Sequence, residues 1–370
     1  MEIYRKILVF LIIVVTLYIV FRFLQKREWI KAKHLENFSI QSVFGIGPDA
    51  PEEVKSIKQS FQSIPTGIVS MNKDDANLAL CQYFIKASAN SAYSGSYVST
   101  DMVNFVLSRG VRWLDFQVFP GSAGPIVGVN IDGSTTSSNQ ILLTDVIKTA
   151  MVNGMNTGAP NGKDPLFIQL RMENTGSKTS LYEAVGIVLR TTLGTTPYLY
   201  DPMKKGNGMV TSSTPLSRLL GKIVVVVDVG VSHDYTKAES YGDSQNQLKH
   251  FVGMESDTTM IPAYSYDMAQ MRPITPLFLS SSSSKVTNVS IFSILNPGKS
   301  LTTNVDYKPM VQKYGYNVIA YQYYLTNKIN TGLLANYEAV FGADDTFHTP
   351  SGYNRAFVPM AKMLSLVKST

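Results

Sequence analysis

The sequence predicts an α/β barrel of the TIM type preceded by a single N-terminal membrane-spanning helix. Three observations predict it. From Asn77 to Thr370 strand-like and helix-like patterns alternate, as a parallel sheet with crossover helices requires. Two of the strands carry polar residues on one face, where a barrel has its interior. Residues 7–24 form an apolar run long enough to cross a bilayer.

The apolar run comes first. Between Ile7 and Phe21 nothing is more polar than Thr16 and Tyr18, and Phe23 and Leu24 extend the run past Arg22. A helix needs roughly 20 such residues, in a range of about 17–25, to span the hydrocarbon core, and Arg22 can reach the interface with its charged end. No small-residue cleavage site follows, so the run reads as an uncleaved anchor and not a signal peptide. Arg22, Lys26, Arg27, Lys31 and Lys33 on its carboxyl side outnumber Arg5 and Lys6 on the other. The positive-inside rule then puts the large domain on the cytoplasmic or an equivalent reducing face, with Trp29 as an interfacial anchor. The anchor and its basic flank occupy 1–34. Residues 35–76, with Pro48, Pro51 and Pro65 and no sustained period, read as a tether carrying one short helix at 51–61.

The barrel is expected over 77–370. Its strands are predicted at 82–88, 111–119, 166–172, 223–229, 289–295 and 317–324, and its helices at 99–109, 141–153, 180–193, 307–314 and 331–341, with a closing segment from Ala356. The serine run 280–284 reads as a loop. In 111–119 the period of two groups Trp113, Asp115 and Gln117; in 166–173 it groups Phe167, Gln169, Arg171 and Glu173. The outer face of a parallel strand packs under helices and should be apolar. These polar sets are therefore expected to look inward, toward the catalytic end of the barrel. An internal ion pair of Arg171 with Asp115 or Glu173 that only organises the barrel is the alternative.

Charge narrows the function. The chain has 33 Lys and Arg against 27 Asp and Glu, a formal +6. Seven of the basic and two of the acidic residues lie in 1–34, so the rest of the chain is close to neutral. Nucleic acid is not an expected partner, because phosphate binding needs clustered cations. The lone Cys81 cannot make an internal disulfide, which fits a reducing compartment.

The stretches Tyr83-Phe84-Ile85-Lys86-Ala87-Ser88-Ala89-Asn90 and Leu107-Ser108-Arg109-Gly110-Val111-Arg112-Trp113-Leu114-Asp115 resemble the first two strands of phosphoinositide-specific phospholipase C. Thr144-Asp145-Val146-Ile147, Asp164-Pro165-Leu166-Phe167-Ile168 and Leu216-Ser217-Arg218-Leu219-Leu220-Gly221-Lys222-Ile223 are similar to later landmarks of its X region, in the same order. Residues 291–297, Asp306-Tyr307-Lys308-Pro309 and Gly315-Tyr316-Asn317-Val318-Ile319-Ala320 are similar to its Y region. The resemblance implies the PLC-like phosphodiesterase fold, a distorted TIM barrel, and a reaction run by two histidines and a calcium ion.

The site residues depart from that pattern. The first histidine falls on Ala89, and the second is missing from the stretch 127–133. Of the positions that the resemblance assigns to calcium, Asn90 and Asp115 keep an oxygen donor, Gln117 replaces an acid, and the last acid falls on Arg171 or, after a two-residue shift, on Glu173. Calcium takes six to eight oxygens, several from carboxylates, so no metal and no other cofactor is expected. The basic residues that would hold inositol phosphates fall near Val226, Asp228 and Ile294. The remaining histidines, His34, His233, His250 and His348, lie outside the motif positions.

The residues point away from an enzyme. They favour a membrane-anchored, catalytically degenerate barrel serving as a structural or interaction component of a larger membrane-associated assembly, such as a large DNA virus particle. Its partners would be the bilayer, through residues 7–24, and neighbouring proteins. The alternatives are a phospholipid-headgroup-binding module and a phosphodiesterase of altered chemistry using Asp115, Glu173 and His233.

Overall fold

A short helix opens the described body of the chain. In this computed structural model, which describes residue 18 and residues 49–64, 67–130, 137–156, 158–173, 178–232, 234–236, 247–271, 278–279, 286–287, 290–298, 302–342 and 353–368, α1 spans Ala50–Ser60. Asp49 caps it, its Oδ1 accepting from the Glu52 backbone N–H at 3.0 Å, and Pro51, Glu52 and Glu53 fill the first turn.

The elements that follow are β1 (Tyr83–Ser88), α2 (Thr100–Ser108), β2 (Trp113–Phe119), β3 (Ile126–Gly128), β4 (Ile141–Leu142), α3 (Leu143–Gly154), β5 (Leu166–Met172), α4 (Lys178–Thr192) and β6 (Ile223–Asp228). Then come β7 (Val252–Ser256), β8 (Ala263–Ser265), β9 (Phe278–Leu279), β10 (Val286–Thr287), β11 (Ile294–Asn296), α5 (Tyr307–Tyr314), β12 (Val318–Tyr321), α6 (Lys328–Phe341), β13 (Phe357–Pro359) and α7 (Met360–Lys368). The main sheet runs β7-β6-β5-β2-β1-β12-β11-β8, every neighbouring pair parallel. This is a nearly closed eight-stranded barrel, with β7 and β8 at the two ends of the strand order.

Side-chain alternation separates two cores. Ile85, Trp113, Phe167, Val224, Val226, Met254, Ile294 and Val318 fill the barrel interior, where Trp113 stacks on Phe167 with ring centres 5.2 Å apart. Leu114, Phe116, Ile168, Leu170, Val225, Val227 and Ile319 point the other way, into the layer that includes Val103, Val146 and Val185 of α2, α3 and α4. β13 lies antiparallel along the start of β1, with Ile85 opposite Phe357. β2 joins the same edge of β1 only at Ala87 and Ser88.

Several expectations need correction. The segment predicted as a tether is part of the packing from residue 50: Val54, Ile57, Phe61, Ile64 and Ile68 join the outer core, and Met71 and Ala76 the inner one. Val54, Ile57, Phe61 and Ile64 recur at helical spacing, a signal that the prolines and polar neighbours obscured. The helix predicted at 141–153 begins at Leu143, because Ile141 and Leu142 pair with β3. The late strands are shorter than predicted, and β7 and β8 were not anticipated, since five and three residues are too few for a clear period. Among the described residues no helix is long and apolar enough to cross a membrane. The expected span 7–24, apart from Tyr18, and the anchor residues Ile7, Phe21, Arg22 and Trp29 lie outside the described residues, as does the serine run 280–284.

Candidate functional site

Of the polar residues singled out on β2 and β5, Asp115, Gln117, Arg171 and Glu173 come to the carboxyl-terminal mouth of the barrel, the end at which this architecture places its chemistry, and Gln169 lies beneath them. Asn90 follows β1 with φ 44°, a left-handed conformation that asparagine tolerates better than most residues. Its backbone N–H donates to Asp115 Oδ2 at 3.1 Å. Ser91 braces the same loop: its N–H donates to the Asp115 carbonyl at 2.8 Å and its hydroxyl accepts from the Asp115 N–H at 3.0 Å.

Arg171 closes this corner. Gln117 and Arg171 are paired in register between β2 and β5, which brings the guanidinium beside the Asp115 carboxylate. Arg171 Nε donates to Asp115 Oδ1 at 2.8 Å, and Nη2 donates to Asp115 Oδ2 at 2.7 Å and to Asn90 Oδ1 at 2.8 Å. Asp115 is fully buried and the Arg171 side chain is 12% exposed. Burial alone would lower the Arg171 pKa, but Asp115 foremost, then Asp228 and Glu173, turn the shift upward, so the guanidinium stays charged.

The neighbours are also committed or acidic. Gln117 spends both ends of its amide on Asn130, accepting from its N–H at 2.6 Å and donating to its carbonyl at 3.1 Å. Gln169 forms the floor, accepting from Trp113 Nε1 at 2.9 Å and donating to Ser256 Oγ at 3.3 Å. Glu173 is half-buried beside Arg171; burial raises its pKa, Arg171 opposes and Asp115 adds to the rise. Asp228 ends β6 with Oδ1 accepting from Gly230 and Val231 at 3.0 and 3.2 Å. Burial pushes its carboxyl up to about 6, against the pull of Arg171 and helped by Asp257. Asp257 converges on the same point, since a Cβ at Gly230 would lie 1.7 Å from Asp257 Oδ2 and 3.2 Å from Asp228 Oδ1. Asp257 was missed in the sequence because β7, which leads to it, was missed.

Ala89, the position to which the resemblance assigns a histidine, is buried next to Asn90. His250 precedes β7 and so stands at the opposite end of the barrel; His34, His233 and His348 lie outside the described residues. Val226 and Ile294 are in the apolar interior. No group of three His, Cys, Asp or Glu arranged to hold a metal occurs among the described residues.

The resemblance implies calcium, and the donor set does not fit it. The oxygens of Asn90 and Asp115 already face a guanidinium at hydrogen-bond distance. A divalent ion about 4 Å from that charge would meet a repulsion of roughly 8 kcal/mol at an effective dielectric near 20. The arrangement binds its own cation.

Residues 76–228 match the family described as phosphatidylinositol-specific phospholipase C, X domain. Among solved structures, L. pealei PLC21 is similar over 92% of this chain and 48% of its own, with 12% identity and a TM-score of 0.51. S. officinalis PLC21 is similar over 84% of this chain and 46% of its own, with 15% identity and a TM-score of 0.47. A calcium-dependent phosphoinositol-specific phospholipase C from Pseudomonas sp. covers 80% of this chain with 99% of its own, at 11% identity and a TM-score of 0.44. The chain spans about half the length of the two PLC21 proteins. Comparison with curated protein sequences finds no match. The chain resembles phosphoinositide-specific phospholipase C, and the likeness to L. pealei PLC21 is one of fold.

Proposed function

Taking the barrel as PLC-like, with residues 76–228 matching the X domain, we propose that the chain is a membrane-anchored, catalytically degenerate barrel. It serves as a structural or interaction component of a larger membrane-associated assembly; the membrane-lined particle of a large DNA virus is one such setting. One observation carries the loss of catalysis: Ala89 and the Arg171–Asp115 pair stand together where the resemblance expects a histidine and a metal ion. Alanine moves no proton, and both oxygens of the Asp115 carboxylate are already engaged by the Arg171 fork, with the Asn90 N–H also on Oδ2.

The mouth also disfavours phosphate. Asp115, Glu173 and Asp228 act on Arg171, and Asp257 lies beside Asp228, so an anionic headgroup there meets several carboxylates. That argues against the headgroup-binding alternative. The membrane part of the reading rests on residues 7–24 with Arg22 and Trp29, and the basic flank puts the barrel on the cytoplasmic or equivalent reducing side.

The full chain in detergent micelles, assayed on phosphatidylinositol and its phosphorylated forms with and without Ca2+, is expected to show no hydrolysis. Reproducible turnover that disappears in Asp115→Asn would overturn the proposal.

A further inference from the structure

The near-neutral body of the chain separates its charges. Carboxylates gather at the mouth, and cations gather at the opposite end, where the segments leading into β5 and β6 meet. Lys163 precedes β5, and Lys204, Lys205, Arg218 and Lys222 precede β6. Backbone hydrogen bonds from Leu80 to Thr214 and from Leu216 to Leu78 bring the segment carrying Lys73 to the same end. These six cations face three exposed carboxylates, Asp74, Asp75 and Asp201. Apolar groups stand among them: Met203 is 60% and Met209 40% exposed on the loop that carries Lys204 and Lys205. Met260, also exposed, borders the same cavity of about 690 Å3 as Met209, so the apolar contact continues beyond the loop.

The loop is held in this shape. Arg218 Nη2 donates to the Gly206 and Asn207 carbonyls at 2.7 and 3.0 Å, Asn207 Nδ2 to the Asp201 carbonyl at 2.7 Å, and Tyr200 Oη to the Gly208 carbonyl at 3.0 Å. The Val210 N–H donates to the Gly253 carbonyl at 2.7 Å and fixes the loop to β7. A braced loop presents its side chains at little further loss of conformational freedom. We infer that the amino-terminal end of the barrel is a membrane-contact surface that lies on an anionic bilayer, with Lys204 and Lys205 among the headgroups and Met203 and Met209 in the acyl boundary.

A partner has to satisfy both features. Nucleic-acid phosphates would engage the lysines and leave the methionines in water. An anionic bilayer supplies charge and apolar volume together, and binding there grows with both. Unbranched methionine adapts to the irregular packing of acyl chains. The carboxylates at the mouth oppose that end, so the field of the whole barrel turns the lysine end toward the membrane. The 24 residues 25–48, between the apolar run and Asp49, reach at most about 80 Å when extended, enough for an anchored barrel to lay this end on the bilayer. The inference rests on the proposed membrane location and adds which end of the barrel meets the lipid.

Fluorescence of the full chain reconstituted into vesicles tests it, with a polarity-sensitive dye on Met203→Cys; Cys81 is buried. In phosphatidylcholine vesicles with about 30% phosphatidylserine, the dye is expected to shift to the blue and to be quenched by brominated acyl chains. Both effects should be present at about 0.1 M salt and lost near about 1 M. Phosphatidylcholine alone should leave the dye in water. Lys204→Gln with Lys205→Gln is expected to shift the contact equilibrium about 25-fold toward the free loop, about fivefold per lysine, and Met209→Ser to weaken contact by about threefold. Should a variant fail to fold, the salt response of the dye-labelled chain decides. A dye that stays in water, equal contact with phosphatidylcholine alone, or lysine variants with unchanged contact overturns the inference, and so does a dye that responds to a DNA duplex and not to the vesicles. A chain retained in phosphatidylcholine vesicles after alkaline washing, with its dye in water, would keep the proposed anchor and sink this inference. A chain washed out of them that still makes salt-sensitive contact with phosphatidylserine vesicles would sink the anchor and leave the inference standing.

Discussion

Asp228 shows how a single residue at the mouth reports on its surroundings. Its carboxyl is raised to about 6 in the folded chain, first by burial and then by Asp257 and Asp115, with Arg171 pulling the other way. In the unfolded chain it titrates near about 3.9. Between these values the folded state binds more protons than the unfolded one, so stability rises as pH falls from about 6 to about 4. Above pH 6 the ionised group costs on the order of 2–3 kcal/mol. Asp228→Asn keeps the oxygen that accepts from Gly230 and Val231. It should therefore raise the Tm at pH 7.5, with the gain shrinking toward pH 4, as a series of melting curves across that range would show. The inward set of Asp115, Gln117, Gln169 and Arg171 could be read from the period of two alone. The partner choice of Arg171, Asp115 over Glu173, could not, because it depends on how the loop carrying Asn90 folds over β2. Asp257 gave no signal at all, lying beyond a strand too short to recognise.

At the level of elements, α6 and the segment after α1 are tied to β1 by charges with no role at the mouth. Lys86 and Glu338 form a fully buried ion pair at 2.9 Å, Arg109 Nη2 reaches the second Glu338 oxygen at 2.5 Å, and Tyr323 donates to Glu338 Oε1 at 2.6 Å. Arg109 also donates to the Ile64 carbonyl at 2.8 Å and lies over the Phe61 ring, which ties the segment after α1 to the barrel. Burial lowers the Lys86 pKa to about 8, and Glu338 limits the fall. Glu338→Gln would leave two cations buried against a neutral amide, with an expected cost of about 3–5 kcal/mol in chemical denaturation. Phe61→Ala should cost a similar amount by opening a cavity against Phe105 and Tyr323. A residue in a true tether would cost nothing. The long, strongly patterned elements β2, β5, β6, α2 and α5 were legible within a few residues because their faces differ sharply in polarity. The short strands β3, β4, β7 and β8 were not, because pairing with neighbours, and not local pattern, makes them strands.

For the molecule as a whole, charge and apolarity are segregated. Of the formal +6, five units lie in the first 34 residues, flanking the apolar run, and the remainder is nearly balanced. Replacing Arg22, Lys26, Arg27, Lys31 and Lys33 with Gln should therefore scramble the orientation of the chain in membranes without lowering the stability of the barrel. Protease protection of the barrel in sealed vesicles, which should change from uniform to mixed, measures the first effect, and its melting curve the second.

The antiparallel β13 has a consequence for how the chain is made. β1 precedes every other described strand in the chain, yet its first half gains its partner on one edge only when Phe357–Pro359 arrive, after every other described strand has been made. Until then Tyr83, Phe84 and Ile85 present an apolar, unpaired edge, the kind of surface that chaperones hold and that misassembles when left alone. Completion of the barrel is therefore tied to delivery of its last strand, and a nascent chain stalled before residue 357 should remain open to proteolysis around β1.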